Sequence, residues 1–118
     1  MKYKSKRAKA CDITQAVKGK VWERDQERCI FCGNPYAMPN AHFISRAHGG
    51  LGIEENVLTL CNGCHRKYDQ TTDRKQMREF FKNYLQSKYE GWSESNLTYK
   101  NFKNNATESS EGRSYEKQ

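Results

Sequence analysis

The spacing of apolar residues predicts two amphipathic helices that flank the middle of the chain. In residues 13–25 the apolar positions recur every four residues, the period of one helix face, and Asp12 or Thr14 could cap the start. Residues 73–89 carry a second stripe, and Asp73 is placed to cap it. The members of this stripe are Met77, Phe80, Phe81, Tyr84 and Leu85. We expect both helices to pack into one core under a C-terminal lid. The residues of that lid are Trp92, Leu97, Tyr99 and Phe102.

Two short segments with strand character lie between these helices. Residues 41–45 form the first, and residues 56–60 form the second, whose apolar content predicts burial. The connection over residues 46–55 has three glycines within four positions, which indicates unusual backbone angles or close backbone contacts. A short helix is predicted over residues 64–69.

Local turn signals bound these segments. Residues 29–34 are predicted as a tight turn between two short strands, and Pro35 and Pro39 then mark a loop. Residues 70–72, with the sequence Gln-Thr-Thr, break the helical pattern after residue 69.

The composition indicates one small domain that needs a metal or disulfides for stability. It also indicates a net positive charge. Only 35% of the 118 residues are hydrophobic, and cores this small usually depend on a metal or on disulfides. The formal charge is +7, and residues 1–28 hold nine Lys/Arg against four Asp/Glu. Such a field suits a polyanion such as nucleic acid, although a soluble basic protein without that partner has the same composition.

Charge and polarity also divide the chain into three parts. Residues 1–10 are a basic arm whose like charges predict flexibility, and residues 11–103 form the folded domain. Residues 104–118 are rich in Asn, Ser and Glu and are predicted to be disordered. The sequence shows no apolar signal segment and no apolar run of membrane-spanning length, so we expect a cytoplasmic protein with no membrane partner.

Four cysteines stand in two C-x2-C pairs, Cys29 with Cys32 and Cys61 with Cys64. Each pair presents two thiolates from one turn, and two such turns complete the tetrahedral shell of a zinc ion. A shell of four thiolates has no open position, so the predicted zinc is structural. Another metal or redox chemistry is the alternative, but nothing in the sequence resembles the βαβ unit that accompanies redox pairs. Cys11 stands outside the pattern, as a free thiol or a packed small residue.

Two histidines and one asparagine complete an ordered set with the cysteines. The set runs His42, Gly49, Gly50, Asn56, Cys61, Cys64 and His65. Together these residues resemble the HNH nuclease family, the zinc-containing branch of the ββα-metal folds, from Cys29 to about Asp69. The resemblance implies a small α+β fold. Its ββα-metal core would carry the four-cysteine zinc site on two knuckles, flanked by an N-terminal helix and by C-terminal helices.

The resemblance also implies a role for three members of the set. His42 matches the general base on the first strand, and Asn56 matches the asparagine that holds the hairpin loop and orients that histidine. His65 matches a ligand of the catalytic metal, Mg²⁺ or Mn²⁺. A neutral imidazole with a pKa near 6.5 can take a proton from water at neutral pH. A divalent cation can stabilise the leaving 3′ oxygen, which gives 5′-phosphate and 3′-hydroxyl ends.

One position departs from the family. Many members carry Asp or His directly before the base as a second metal ligand, where this chain has Ala41. Asp69 offers a replacement, because it lies four residues after His65 on the same helix face. A carboxylate with an imidazole suits Mg²⁺ or Mn²⁺. His48 is a further candidate, as a ligand, a phosphate contact or a loop residue beside the glycines.

Three basic residues near these positions are candidate DNA contacts: Arg46, Arg66 and Lys67. The expected function is that of a metal-dependent endonuclease that nicks or cuts double-stranded DNA. A non-catalytic zinc module that binds nucleic acid is the main alternative, because Ala41 removes a ligand, and a zinc-stabilised protein-interaction module is another. Compact basic proteins of this kind resemble those encoded by bacteriophages, so a larger phage or host complex is a candidate partner.

Overall fold

The computed structural model describes residues 5–100, so the predicted tail over residues 104–118 and Phe102 of the predicted lid lie outside the described residues. In chain order the elements are helix α1 (Lys6–Cys11), helix α2 (Gln15–Arg24), strand β1 (Ala37–His42), strand β2 (Val57–Cys61), helix α3 (Asn62–Gln70) and helix α4 (Arg74–Lys88). Short 3₁₀ turns lie at Arg46–His48, Glu54–Asn56 and Glu94–Asn96. The implied small α+β architecture is confirmed, with β1, β2 and α3 in ββα order.

Helix α1 begins inside the stretch that is predicted to be a flexible basic arm. That arm spans residues 1–10, and Lys6–Cys11 form a helix. Ser5 caps this helix, because its hydroxyl accepts a hydrogen bond from the Ala8 N–H. Arg7 donates hydrogen bonds to two backbone carbonyls of the loop after β1, so its charged side chain is held against the folded domain.

Helix α2 agrees with the helix predicted over residues 13–25, and it ends in an ion pair that joins three elements. Arg24 is bonded to Asp25 through two guanidinium nitrogens and also donates to two backbone carbonyls beside the start of β2. Asp25 accepts from the Thr59 N–H in β2 and from the Tyr84 hydroxyl in α4. The end of α2 therefore fixes β2 against α4.

The two strands pair antiparallel, with an irregular register around Pro39. The sequence predicts the first strand at residues 41–45, but the strand covers residues 37–42. Pro39 has no N–H to donate, and a strand tolerates it at a register shift because the ladder is already interrupted there. Beyond β1 the Ile44 N–H donates to the side chain of Asn56, so the chain leaves the sheet at this point.

Helix α3 begins earlier than predicted. Its first residue is Asn62 and not Cys64. Cys61 occupies the cap position, where its Sγ accepts from the Cys64 N–H at 3.4 Å. The thiol therefore replaces the usual oxygen cap and adds a turn that the spacing of apolar residues does not reveal.

Helix α4 carries the predicted apolar stripe, with one correction at Phe80. The buried members of the stripe are Met77, Phe81 and Leu85. Phe80 is 43% exposed and meets Phe31 of the first cysteine turn edge-on, with ring centroids 5.2 Å apart. Asp73 occupies the cap position as predicted, but its side chain makes no capping hydrogen bond.

The segment after α4 covers the core, as the predicted lid requires. Leu97 is buried, and Trp92 packs edge-on against Phe43 with ring centroids 5.6 Å apart. The Tyr99 N–H donates to the Gly49 carbonyl, which joins this segment to the loop between the strands. Within residues 5–100, no helix has both the length and the apolar character to cross a bilayer.

Candidate active site and metal centre

The four cysteines of the two C-x2-C pairs converge on one point. The sulfur atoms of Cys29, Cys32, Cys61 and Cys64 all lie within 4.8 Å of one another. Sulfurs about 2.3 Å from a tetrahedral zinc ion stand roughly 3.8 Å apart. The Cys32 and Cys61 sulfurs are separated by 3.6 Å, so this donor set has the chemistry and the spacing for zinc.

The first turn of this centre has a different setting from the one predicted. Residues 29–34 lie between α2 and β1, and no named strand flanks them directly on either side. The Cys29 N–H donates to the Asn34 carbonyl, and Gly33 adopts a φ of 82°, which closes the turn without side-chain strain. The Ile30 N–H donates to the Thr59 carbonyl and so joins the turn to β2.

The thiols differ in how readily they ionise without a metal. Burial opposes ionisation of Cys61, but the Cys64 N–H and the neighbouring thiols outweigh it and lower its pKa to about 7. Burial, together with the neighbouring thiols, raises the pKa of Cys64 well above its ordinary value. A metal that binds all four sulfurs must therefore displace protons, which makes its affinity dependent on pH.

A cavity of about 630 Å³ opens between the end of β1, the following loop and α3. Its lining residues are Asn40, His42, Ser45, Arg46, Ala47, His48, His65, Asp69 and Arg74. The predicted base, both predicted ligands of a catalytic metal and one predicted DNA contact therefore share one cavity. Arg66 and Lys67 are exposed on α3 but do not line it.

His42 is the last residue of β1, and its ring is held by a backbone group. Its Nε2 lies 2.8 Å from the carbonyl oxygen of Cys11. A carbonyl can only accept, so Nε2 carries the proton and Nδ1 is the basic nitrogen. Burial is the main cause that lowers the pKa of His42 below 6.5, and the positive charge of Arg46 adds to it, while the Cys11 carbonyl opposes them. The lowered pKa favours the neutral form of the ring at pH 7.

His65 and Asp69 form a second reactive pair, one turn apart on α3. The His65 Nε2 and Asp69 Oδ2 atoms are 3.3 Å apart, and both side chains are partly exposed. Adjacent ligands about 2.1 Å from an octahedral Mg²⁺ are roughly 3.0 Å apart. The two atoms are therefore close enough together that one divalent cation could contact both.

Asn56 lies behind the cavity, fully buried, and holds the loop between the strands. Its side chain accepts from the Ile44 N–H and donates to the carbonyls of Ile44 and Leu51. A Cβ added to Gly50 would lie 1.6 Å from the Ile44 carbonyl oxygen, so this position requires glycine. The hairpin loop is thus fixed on both of its sides, at the end of the strand that carries His42.

The structure explains the departure at Ala41. This side chain is fully buried, and its backbone pairs with Leu58, so it belongs to the core. The residue before it, Asn40, lines the cavity together with His42, as the alternation of a strand leads one to expect.

Sequence reasoning missed Arg74, which also lines the cavity. Its guanidinium lies over the Tyr68 ring, 4.3 Å from the centroid, and donates to the Tyr68 carbonyl at 2.9 Å. The sequence signal that could have identified Arg74 is a basic residue at the first position of α4, the helix that follows α3. His48 is held differently from the other histidines, with its Nδ1 2.8 Å from the Ser45 hydroxyl.

Part of the chain matches a known protein family. Residues 29–81 match the family model described as HNH endonuclease. The matched stretch contains both cysteine pairs, both strands and α3, and it excludes α1 and α2. A search of curated proteins found no match.

Proposed function

We propose that this chain is a metal-dependent endonuclease that hydrolyses phosphodiester bonds of double-stranded DNA, because residues 29–81 match the family model described as HNH endonuclease. One observation carries the proposal. A neutral histidine with a fixed proton lines the same cavity as an imidazole–carboxylate pair that is spaced for a divalent cation. Phosphodiester hydrolysis needs both a base and a counter-charge.

In this proposal His42 is the general base. Its Nδ1 takes a proton from the attacking water, while the Nε2–H stays hydrogen-bonded to the Cys11 carbonyl oxygen, which keeps the ring in place. The same carbonyl stabilises the positive charge that the ring acquires, because it is a hydrogen-bond acceptor with a negative end towards the imidazole. Asn56 acts indirectly, by holding the loop that follows the base.

His65 and Asp69 are the candidate ligands of the catalytic metal. When bound there, Mg²⁺ or Mn²⁺ would neutralise charge on the leaving 3′ oxygen. Arg46 and Arg74 line the same cavity and can hold the substrate phosphates there, whereas Arg66 and Lys67 are proposed to contact the backbone farther along. The four-cysteine centre is proposed to hold a structural zinc, since its shell would be closed.

The positive charge of the chain supports a polyanionic substrate, as the family also does. By its resemblance to compact nucleases encoded by bacteriophages, we place the protein in the cytoplasm of a bacterial host, where a larger phage or host complex is a candidate partner. A non-catalytic nucleic-acid-binding module is the second candidate, favoured by Ala41, which cannot serve as the metal ligand that many family members carry at this position.

The deciding experiment incubates zinc-loaded protein with supercoiled plasmid in Mg²⁺, in Mn²⁺ or in EDTA, beside His42→Ala. We expect metal-dependent conversion to open-circle or linear DNA, which is lost in His42→Ala while zinc content and plasmid binding are kept. If His42→Ala cuts at the wild-type rate, the base is assigned wrongly. If the wild type shifts the plasmid on a gel but cuts it with neither metal, the binding module is the correct function.

A further inference from the structure

The N-terminal segment over residues 5–12 lies outside the matched residues 29–81, yet it touches the candidate active site. The Cys11 carbonyl oxygen is 2.8 Å from His42 Nε2 and 2.9 Å from Arg46 Nη1. The same Arg46 nitrogen is 2.9 Å from a carboxylate oxygen of Asp12. One short stretch of backbone therefore holds both the candidate base and a cavity arginine.

Three further features dock this segment on the loop over residues 46–52. Arg7 donates to two carbonyls of the loop, each at 3.2 Å. The Gly52 N–H donates to the Ala10 carbonyl at 2.9 Å. A Cβ on Gly52 would lie 2.0 Å from the Asp12 carbonyl oxygen, well inside van der Waals contact. The two stretches of backbone can approach this closely only because residue 52 is glycine.

We propose that residues 5–12 are a positioning element for catalysis, which keeps the proton of the His42 ring on Nε2 by docking on the 46–52 loop. This rests on the proposed nuclease function, in which Nδ1 must be free to accept a proton from water. A neutral imidazole can place its proton on either nitrogen, and an acceptor fixed at Nε2 selects one form. The segment thus completes a site that residues 29–81 alone would leave with an unrestrained base.

A positioning role and a purely electrostatic role of this basic segment make different predictions. Loss of position lowers kcat, because fewer molecules carry a correctly oriented base while the contacts to DNA remain. Loss of positive charge weakens DNA binding and reduces its dependence on salt. Kinetics at several salt concentrations therefore separate the two.

The first test is Gly52→Ala, which places a methyl group at the docking contact. Gly19→Ala is the matched control, because a Cβ there meets nothing within 4 Å. We expect Gly52→Ala to lower kcat by about tenfold to a hundredfold, the scale seen when a reacting group is displaced by roughly 1 Å, with KM for plasmid DNA unchanged. Gly19→Ala keeps the kcat of the wild type.

The second test removes a docking contact without adding bulk. Arg7→Gln loses the guanidinium that holds the loop carbonyls, and Lys6→Gln makes the same change of charge on the same helix. We expect Arg7→Gln to lower kcat and Lys6→Gln to leave it unchanged, with equal small losses of DNA affinity in both. This pair decides the question if Gly52→Ala fails to fold.

The third readout does not depend on cleavage. The nitrogen chemical shifts of the His42 ring, measured above pH 7 on zinc-loaded protein without DNA, report which nitrogen carries the proton; the chain has only three histidines to assign. We expect the proton on Nε2 in the wild type and a mixture in Gly52→Ala and Arg7→Gln. Wild-type tautomer and kcat in both variants would overturn the proposal. If the wild type does not cut DNA, the proposed function fails, and the ring tautomer alone decides whether the segment positions His42.

Discussion

Replacement of Asn56 by alanine is expected to destabilise the whole domain as well as its active site. The side chain is fully buried and makes three hydrogen bonds, all to backbone groups of Ile44 and Leu51. Alanine removes all three and leaves two carbonyls and one N–H of partly buried residues without their partner.

The size of the effect follows from these contacts. A net loss of about 1 kcal/mol for each hydrogen bond, with part of the roughly 1–3 kcal/mol cost of an orphaned buried group, gives about 3–5 kcal/mol. Small domains have total stabilities of only about 5–15 kcal/mol, so Asn56→Ala is expected to lose a large part of its stability.

The assay is urea unfolding at a fixed, saturating zinc concentration, because bound metal shifts the apparent stability. Asn83→Ala is the control, since Asn83 is exposed on α4 and the same atoms are removed there. We expect a large fall in the unfolding midpoint for Asn56→Ala and little change for Asn83→Ala. A loss below about 1 kcal/mol in Asn56→Ala would mean that water or a rearranged loop satisfies the freed groups, which would refute the role assigned to this side chain.

Three further predictions concern the two metal sites and the base. Asp69→Ala is expected to raise the Mg²⁺ or Mn²⁺ concentration needed for half-maximal cleavage, whereas the exposed control Asp73→Ala is not. If the metal titrations of Asp69→Ala and the wild type are identical, Asp69 is not a ligand. Cys61→Ser is expected to be unfolded by circular dichroism and to bind less than one zinc ion per chain, because structural zinc contributes about 10–16 kcal/mol to the folding of zinc fingers. A folded and active Cys61→Ser variant would contradict a structural zinc centre. Because the pKa of His42 is lowered from 6.5, its neutral form persists below pH 6.5. Cleavage should therefore stay near its maximum at pH 7 and fall only as the pH drops through that lowered pKa. A cleavage rate that already falls before the pH has been lowered to 7 would contradict this.

The parts of the site that side-chain type and spacing define are predictable from sequence. The four cysteines converge, and His65 and Asp69 meet, because two residues in a C-x2-C turn, or two residues four apart on a helix, have a fixed geometry. The clamp formed by Asn56 is also foreseeable, since a buried asparagine must satisfy both ends of its amide.

Features that depend on long-range backbone contacts are not predictable in this way. Every residue has a carbonyl, so nothing marked that of Cys11 as the partner of His42. Pro39 has the local signature of a loop, and only the register shift between Met38 and Ala41 makes it acceptable in β1. The periodicity of apolar residues shows which side of α4 is buried but not how many residues on that side are buried. Phe80 belongs to the apolar stripe, yet it lies at its exposed edge.

The ion pair at the end of α2 has a consequence for moving the matched stretch into another protein. Arg24 and Asp25 precede that stretch, yet Arg24 donates to the carbonyls of Glu54 and Val57 inside it, and Asp25 accepts from the Thr59 N–H. A piece of chain that begins at residue 29 would lack Arg24 and Asp25, so these two carbonyls and the Thr59 N–H would lose their partners at β2. Grafting this fold onto another protein therefore requires its upstream helix as well, and the smallest transferable piece is longer than the stretch that matches the family model.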